Sequence, residues 1–268
     1  MKNILCHFGL DYMPFGRGIA AGDLYLGPAL SELLARFTYA CNNRSFMLVT
    51  GDAAAGKSSA LRALFAQLDS SVYRFIYIAD SRLTPRAFYE HALAALAIAP
   101  MGFLPRLKRN FRTAVQDLVE NQERQLVVAI DEAHTLGHDM LQELRFLLNF
   151  RLDSDSLFTL LLVGQPELKA TLKLLAYLPI AQRLDLTFHL GGLALPETRD
   201  YIHHQLSTAG CDQPLFTQQV IEKIHAHSKG LPRLINRLAR GCLLDAALHQ
   251  DPLVEDSHLA HVLSDLEA

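Results

Sequence analysis

The 268-residue chain has no tryptophan and only four cysteines, Cys6, Cys41, Cys211 and Cys242, with no CxxC pair among them. That scatter excludes a zinc ribbon or a disulfide framework and reads as reduced thiols. A long hydrophobic run is also missing. No stretch approaches the ~18 apolar residues of a membrane span, and the opening MKNILCHFGLDYMPFGRGI lacks the apolar core of a signal peptide. A cytoplasmic protein without membrane contact is expected. Nor does one sign of charge dominate: 25 Lys and Arg stand against 28 Asp and Glu, a net −3, so any nucleic-acid contact must come from a local patch. No long internal repeat or low-complexity tract is found. What remains is 50% hydrophobic and 20% charged, ordinary for one large domain, alone or with a smaller companion.

The most informative stretch is GDAAAGKSSA, residues 51–60. Before it stands SFMLVT (45–50), short, apolar and partly β-branched, which predicts a buried strand. After it Leu61, Leu64, Phe65 and Leu68 recur at helical spacing. Strand, loop and helix together fit G-x-x-x-x-G-K-[ST] from Gly51 to Ser58. In such a loop the backbone N–H groups of Gly51, Asp52, Ala53, Ala54, Ala55 and Gly56 curl around phosphate oxygens. The helix that starts at Lys57, Ser58 and Ser59 adds its positive end. Lys57 is expected on the β- and γ-phosphates of ATP, and the Ser58 hydroxyl on Mg²⁺. The plain alternative is a surface turn with an exposed lysine.

A phosphate loop needs an acid to hold the metal. QLVVAIDE (125–132) supplies it: an unbroken apolar run, as in a parallel strand buried on both faces, ending in Asp131 and Glu132. Asp131 is expected to hold Mg²⁺ through water and Glu132 to polarise the attacking water. Simple helix capping by the two acids is the alternative.

Further strands are predicted at 73–79, 157–164 and 185–190, with helical stretches between them. Five short strands alternating with helices predict an α/β fold, a parallel sheet with helices on both faces. After Leu195 the strands stop. TRDYIHHQLSTAG, TQQVIEKIHAHSKG and PRLINRLARGCLLDAALHQ carry helical periodicity, and glycines close the first two. An α/β nucleotide-binding domain is therefore expected over 1–194 and a helical lid subdomain over 195–268. The histidines, His203, His204, His225 and His227 among them, show no metal-ligand spacing.

The order of P-loop, DE strand, polar residue after the fourth strand and G-x-P-R in the lid resembles the AAA+ P-loop NTPases. VGQPEL (163–168), AQRL (181–184), GLPRLINRLA (230–239) and the N-terminal HFGL…PF are similar to the ExeA/GspA-like branch, which includes transposon-encoded ATPases of the TniB/MuB type. The resemblance implies an oligomeric ATPase, a ring or a filament. It implies Gln165 as the sensor of the γ-phosphate or the attacking water, and Arg233 as a lid arginine on nucleotide in the same subunit. Arg183 would be a finger on a neighbour's γ-phosphate, and the segment from Phe8 to Phe15 would lie beside adenine. Relatives usually carry glycine where Ala54 stands. The bland readings are a loop polar group for Gln165, an ion pair for Arg183 and a first-turn residue for Arg233.

Two branches remain. Secretion-associated relatives carry a membrane span and a further domain after the ATPase part. This sequence shows neither, so the first expectation is a transposition-type ATPase that assembles on double-stranded target DNA and recruits a transposase. The alternatives are a secretion-associated ATPase of the ExeA/GspA type and a protein-only nucleotide switch. A basic segment leans towards DNA: Arg82, Arg86, Arg106, Lys108, Arg109 and Arg112 lie between residues 80 and 112, and the resemblance places that region at a central channel. A solvated helix face is the alternative.

Overall fold

The computed structural model describes residues 2–16, 18–147 and 156–267. It divides into two compact units, one of residues 32–53 and 57–190, the other of residues 1–31, 54–56 and 191–268.

The first unit is built on β1 (Phe46–Gly51), β2 (Tyr73–Ala79), β3 (Gln125–Asp131), β4 (Phe158–Gly164) and β5 (Leu186–Leu190). All pairings are parallel, and the order across the sheet is β2-β3-β4-β1-β5. The expected α/β class and parallel sheet are both present. The inner strands β1 and β4 are buried at every position and β3 at all but its first, whereas the edge strands alternate. That contrast follows from a sheet covered on both faces, whose inner strands meet no water on either side.

Period-two geometry sorts the strand residues. Phe46, Leu48, Ile76, Leu126, Val128, Phe158 and Leu160 share one cluster with Phe88 and Leu93 of α4 (Pro85–Ala95) and with Leu107, Phe111 and Val115 of α5 (Leu104–Glu120). Their alternates Met47, Val49, Val127, Ala129, Leu161 and Val163 are equally dry. The α5 pattern puts Leu107, Phe111, Val115 and Leu118 inward and leaves Arg106, Arg109 and Arg112 exposed, a helix with an apolar stripe and a basic back. Thr84 caps α4 through its hydroxyl, which accepts from the Ala87 N–H at 3.2 Å.

The second unit is helical. Its elements are α9 (Leu195–Thr208), α10 (Gln218–Ser228), α11 (Pro232–His249) and α12 (Asp256–Glu267), with the N-terminal α1 (Lys2–Phe8). Phe8, Leu10 and Phe15 lie in one core with Ile202, Leu206, Val220, Ile224, Ile235 and Leu243. Residues 1–31 thus group with the helices that the sequence places in a lid. The last helix, α12, packs its short Leu259, Val262, Leu263 pattern on α11, where Val262 comes close to Gly241.

Gly51 ends β1 and opens the phosphate loop. A Cβ there would stand 2.5 Å from the Leu190 carbonyl oxygen of the neighbouring β5. The glycine is thus required by strand packing before any ligand is considered. Gly51→Ala should shift backbone and lower stability by about 1–3 kcal/mol. The urea midpoint should fall relative to the parent, and an unchanged midpoint would show that β5 yields freely.

Candidate functional site

Chain order and sheet order differ in a way that builds the site. β3, β4 and β1 are adjacent, so their carboxyl ends deliver Asp131, Gln165 and the phosphate loop side by side. Ligands of open α/β sheets bind at such ends.

The loop leaves β1 at Gly51 and enters α3 (Lys57–Gln67). Lys57 is buried, and its ammonium donates to the carbonyls of Gly51 at 2.7 Å and Asp52 at 2.9 Å. A buried ammonium is tolerated only when so paired. Ala54 has φ +73° and Gly56 φ +100°. At Ala54 an L-residue holds the left-handed conformation at roughly 1–2 kcal/mol, which explains physically why glycine suits this position. Left-handed turns of this kind orient consecutive N–H groups towards an anion.

Asp131 is 2% exposed at the end of β3. Three donors satisfy its carboxylate: the Ser58 hydroxyl at 2.9 Å and the Tyr77 hydroxyl at 2.9 Å, both on Oδ2, and the Glu132 N–H at 2.9 Å on Oδ1. Ser58 itself is exposed. The Tyr77 phenol is pushed up to about 12, first by burial and then by the Asp131 and Glu132 charges, so it stays a donor throughout the neutral range. Hard oxygen donors from Ser58 and Asp131, with a buried ammonium at the same loop, suit Mg²⁺ and a polyphosphate. Glu132 follows at φ +53° with its side chain 49% exposed, so its carboxylate is available to a ligand. Its Oε2 lies 3.7 Å from His134 Nε2, and the same nitrogen lies 3.0 Å from the Gln165 amide.

Lys57, Ser58, Asp131, Glu132 and Gln165 therefore converge. Arg183 stands apart, its guanidinium donating to the Arg145 carbonyl at 2.7 Å. Arg233 is exposed on the first turn of α11, in the helical unit, where its backbone N–H meets the Ala54 carbonyl at 3.5 Å. Phe8 and Phe15 are buried in the helical core.

Two site residues escaped the sequence reading. Tyr77 is one position on an edge strand, and no spacing rule ties it to Asp131, two strand residues and a β-pairing away. His134 sits two residues after Glu132, and that adjacency was the available signal.

The basic residues fall into two kinds. Arg82, Arg106 and Arg109 are exposed, as is Arg112, and Arg86 pairs with Glu90 at 2.7 Å. Lys108 differs. Its ammonium lies 2.5 Å from the buried Glu143 carboxylate, which also accepts the Tyr89 hydroxyl at 2.7 Å. Burial and that carboxylate drive the Tyr89 phenol far up.

Among the described residues, one group with ligand-forming atoms gathers where the sequence showed no metal-ligand spacing: Asp245, His249 and His258, with ligand atoms within 4.8 Å of one another. His258 accepts the Glu255 N–H on Nδ1 at 2.9 Å and turns Nε2 to Asp251 at 2.9 Å. Both ring nitrogens are engaged in tying down the start of α12. His204 and His225 likewise meet the Asp23 carbonyl and the Thr198 hydroxyl.

Residues 41–172 match the family model of the AAA domain. General secretion pathway protein A of Aeromonas hydrophila is 33% identical over 245 residues, covering 89% of this chain and 44% of that protein. The chain thus spans less than half the length of that relative. Among solved structures, Cdc6p of Pyrobaculum aerophilum superposes with a TM-score of 0.69 at 14% identity, over 94% of this chain and 70% of that one. Drosophila ORC bound to DNA gives 0.72 at 12% identity, over 99% and 66%. Aeropyrum pernix ORC1 in complex with DNA gives 0.66 at 16%, over 99% and 69%. The fold is that of the AAA P-loop NTPases.

The Lys108 contact separates structure from charge. Lys108→Ala leaves Glu143 buried without its cation and should cost about 1–3 kcal/mol, below the roughly 3–5 kcal/mol of a fully buried pair because Lys108 is itself 37% exposed. Arg109→Ala should stay within about 0.5 kcal/mol. Equal thermal midpoints for the two variants would contradict the assignment.

Proposed function

We propose that this chain binds and hydrolyses Mg·ATP and acts as the nucleotide-driven module of an assembly of the general secretion pathway protein A type. One observation carries the reading: Ser58, on the phosphate loop, and Asp131, on a strand two places away in the sheet, meet at 2.9 Å beside the buried ammonium of Lys57. The bound metal ion supplies charge neutralisation of the phosphates. Lys57 exchanges its loop carbonyls for phosphate oxygens. Ser58 and Asp131 hold the metal side. Glu132 orients and deprotonates water, and Gln165 holds the terminal phosphate. Arg233 reaches nucleotide in its own subunit, and Arg183 leaves the Arg145 carbonyl to reach a neighbour's, which makes a homo-oligomer the active form.

The secretion-type reading takes precedence over transposition because the 33% likeness is to a secretion-pathway protein. The target-DNA reading, the first expectation from the sequence, becomes the second. The exposed Arg82, Arg106, Arg109 and Arg112 favour it, and two structures of like fold are complexes with DNA. Such a surface holds phosphates without reading sequence.

Lys57→Ala should lose ATP binding. Glu132→Gln should keep it while turnover falls ~10²-fold or more, the scale of a lost general base. Fluorescent-nucleotide titration and phosphate release measure the two effects. Equal turnover in Glu132→Gln and the parent would remove Glu132 as the base.

For the second reading, the measurement is fluorescence anisotropy on two unrelated duplexes across a salt series with an ATP analogue present. If DNA is bound, Arg106→Ala with Arg109→Ala should weaken both duplexes alike and flatten the salt slope. No binding by the parent at low salt would leave the secretion-type reading and the protein-only nucleotide switch.

A further inference from the structure

The Glu132, His134 and Gln165 side chains form a chain that the ATPase reading leaves partly unused. The turn carrying His134 runs close under the end of β4. A Cβ on Gly164 would lie 3.0 Å from the His134 backbone nitrogen, so the glycine lets that turn pack close to Gln165 without a backbone shift. The imidazole is 16% exposed and doubly anchored. Its Nδ1 accepts the Gln165 backbone N–H at 3.4 Å. A neutral ring that accepts on Nδ1 carries its proton on Nε2. That Nε2–H faces the Gln165 side-chain amide nitrogen at 3.0 Å and Glu132 Oε2 at 3.7 Å. Two N–H groups do not face each other at such a distance, so the amide presents its oxygen to His134, the two orientations being related by a half-turn of the amide. Its NH₂ then points away from the ring, with both donors free for an anion.

We propose that His134 is the positioning residue that couples the phosphate sensor to the base: one Nε2–H is shared between Gln165 Oε1 and the Glu132 carboxylate. This rests on the ATPase reading above. Without nucleotide, the Nε2–H of His134 donates to Gln165 Oε1, the nearer acceptor, and Glu132 has no fixed direction. When the Gln165 NH₂ engages a terminal phosphate, the amide is drawn off and the Nε2–H turns to Glu132. The carboxylate is then fixed in the orientation that addresses water. Hydrolysis is thereby linked to the presence of a third phosphate, through hydrogen-bond exchange alone and with no change in the ring's charge. His134 touches neither nucleotide nor water in this scheme.

Two near-isosteric substitutions separate this role from a structural one. Asparagine keeps an acceptor where Nδ1 stands and loses the Nε2 donor. Glutamine reaches the Nε2 position with an N–H and loses the Nδ1 acceptor. His134→Asn should lower kcat roughly tenfold or more, the scale of a misplaced catalytic group, with Kd for ATP unchanged. His134→Gln should keep kcat within about threefold of the parent, as a retained donor still positions the base. A purely structural histidine gives the reverse ranking or equal losses that track the melting temperatures, and either result overturns the proposal. Nitrogen-15 spectra of the histidine rings give a readout free of turnover, with the His134 signal assigned by its loss in His134→Gln. The proposal expects a protonated Nε2 and a bare Nδ1, and the opposite tautomer overturns it. A parent that turns over no ATP sinks the ATPase reading and the coupling with it. An active parent with equal Asn and Gln variants sinks the coupling alone.

Discussion

A buried charge must be met by donors or acceptors, and the site is organised around two such charges of opposite sign. Asp131 is dry at the end of β3 and survives as an acceptor for Ser58, Tyr77 and the Glu132 amide. Lys57 is dry at the start of α3 and survives on two loop carbonyls. Leaving either group unpartnered would cost several kcal/mol. The loop, the DE strand and the edge strand β2 are therefore tied to one another before any ligand arrives. Each tie is also exchangeable: an ammonium that holds carbonyls can hold phosphate oxygens, and a carboxylate that accepts from a hydroxyl can accept from a hydrated cation. A site pre-assembled in this way needs little reorganisation on binding.

The sheet order turns that local chemistry into a working geometry. β4 runs between β3 and β1, so the loop carrying Gln165 lies between the strand end carrying Asp131 and the loop that leads to Lys57. Two left-handed residues flank the site residues in sequence. Ala54, within the G-x-x-x-x-G-K-S loop, and Glu132, after Asp131, are both non-glycine and adopt left-handed conformations. Strain at such positions persists because the surrounding sheet over-determines them, and it aims N–H groups and a carboxylate where a relaxed loop would not.

Much of this was legible in the sequence because it rests on local spacing. Strand, G-x-x-x-x-G-K-S and helix are contiguous, and the apolar run ending in Asp131 announces a buried strand wherever it sits in the sheet. The five strands emerge at or within a residue of their expected bounds. What stayed hidden depends on strand pairing. Tyr77 meets Asp131 only because β2 pairs β3 with Ala79 opposite Asp131, a register that composition does not carry. The division of labour within the basic segment was hidden for a similar reason. Lys108 looks like its arginine neighbours until α6 (His138–Leu147) brings Glu143 beneath it. His134 was hidden in plain view, since a histidine after DE gains a role only when Gly164 lets the next strand's loop come close.

The central claim is that the loop and the DE strand together make a magnesium–nucleotide site. Isothermal titration of the parent protein with a non-hydrolysable ATP analogue, with Mg²⁺ and again with chelator, tests it most directly. The account predicts one nucleotide per chain with Mg²⁺ and binding weakened at least ~10-fold without it, because Ser58 and Asp131 contribute through the cation. Absence of binding in both conditions, or equal affinity in both, would contradict it.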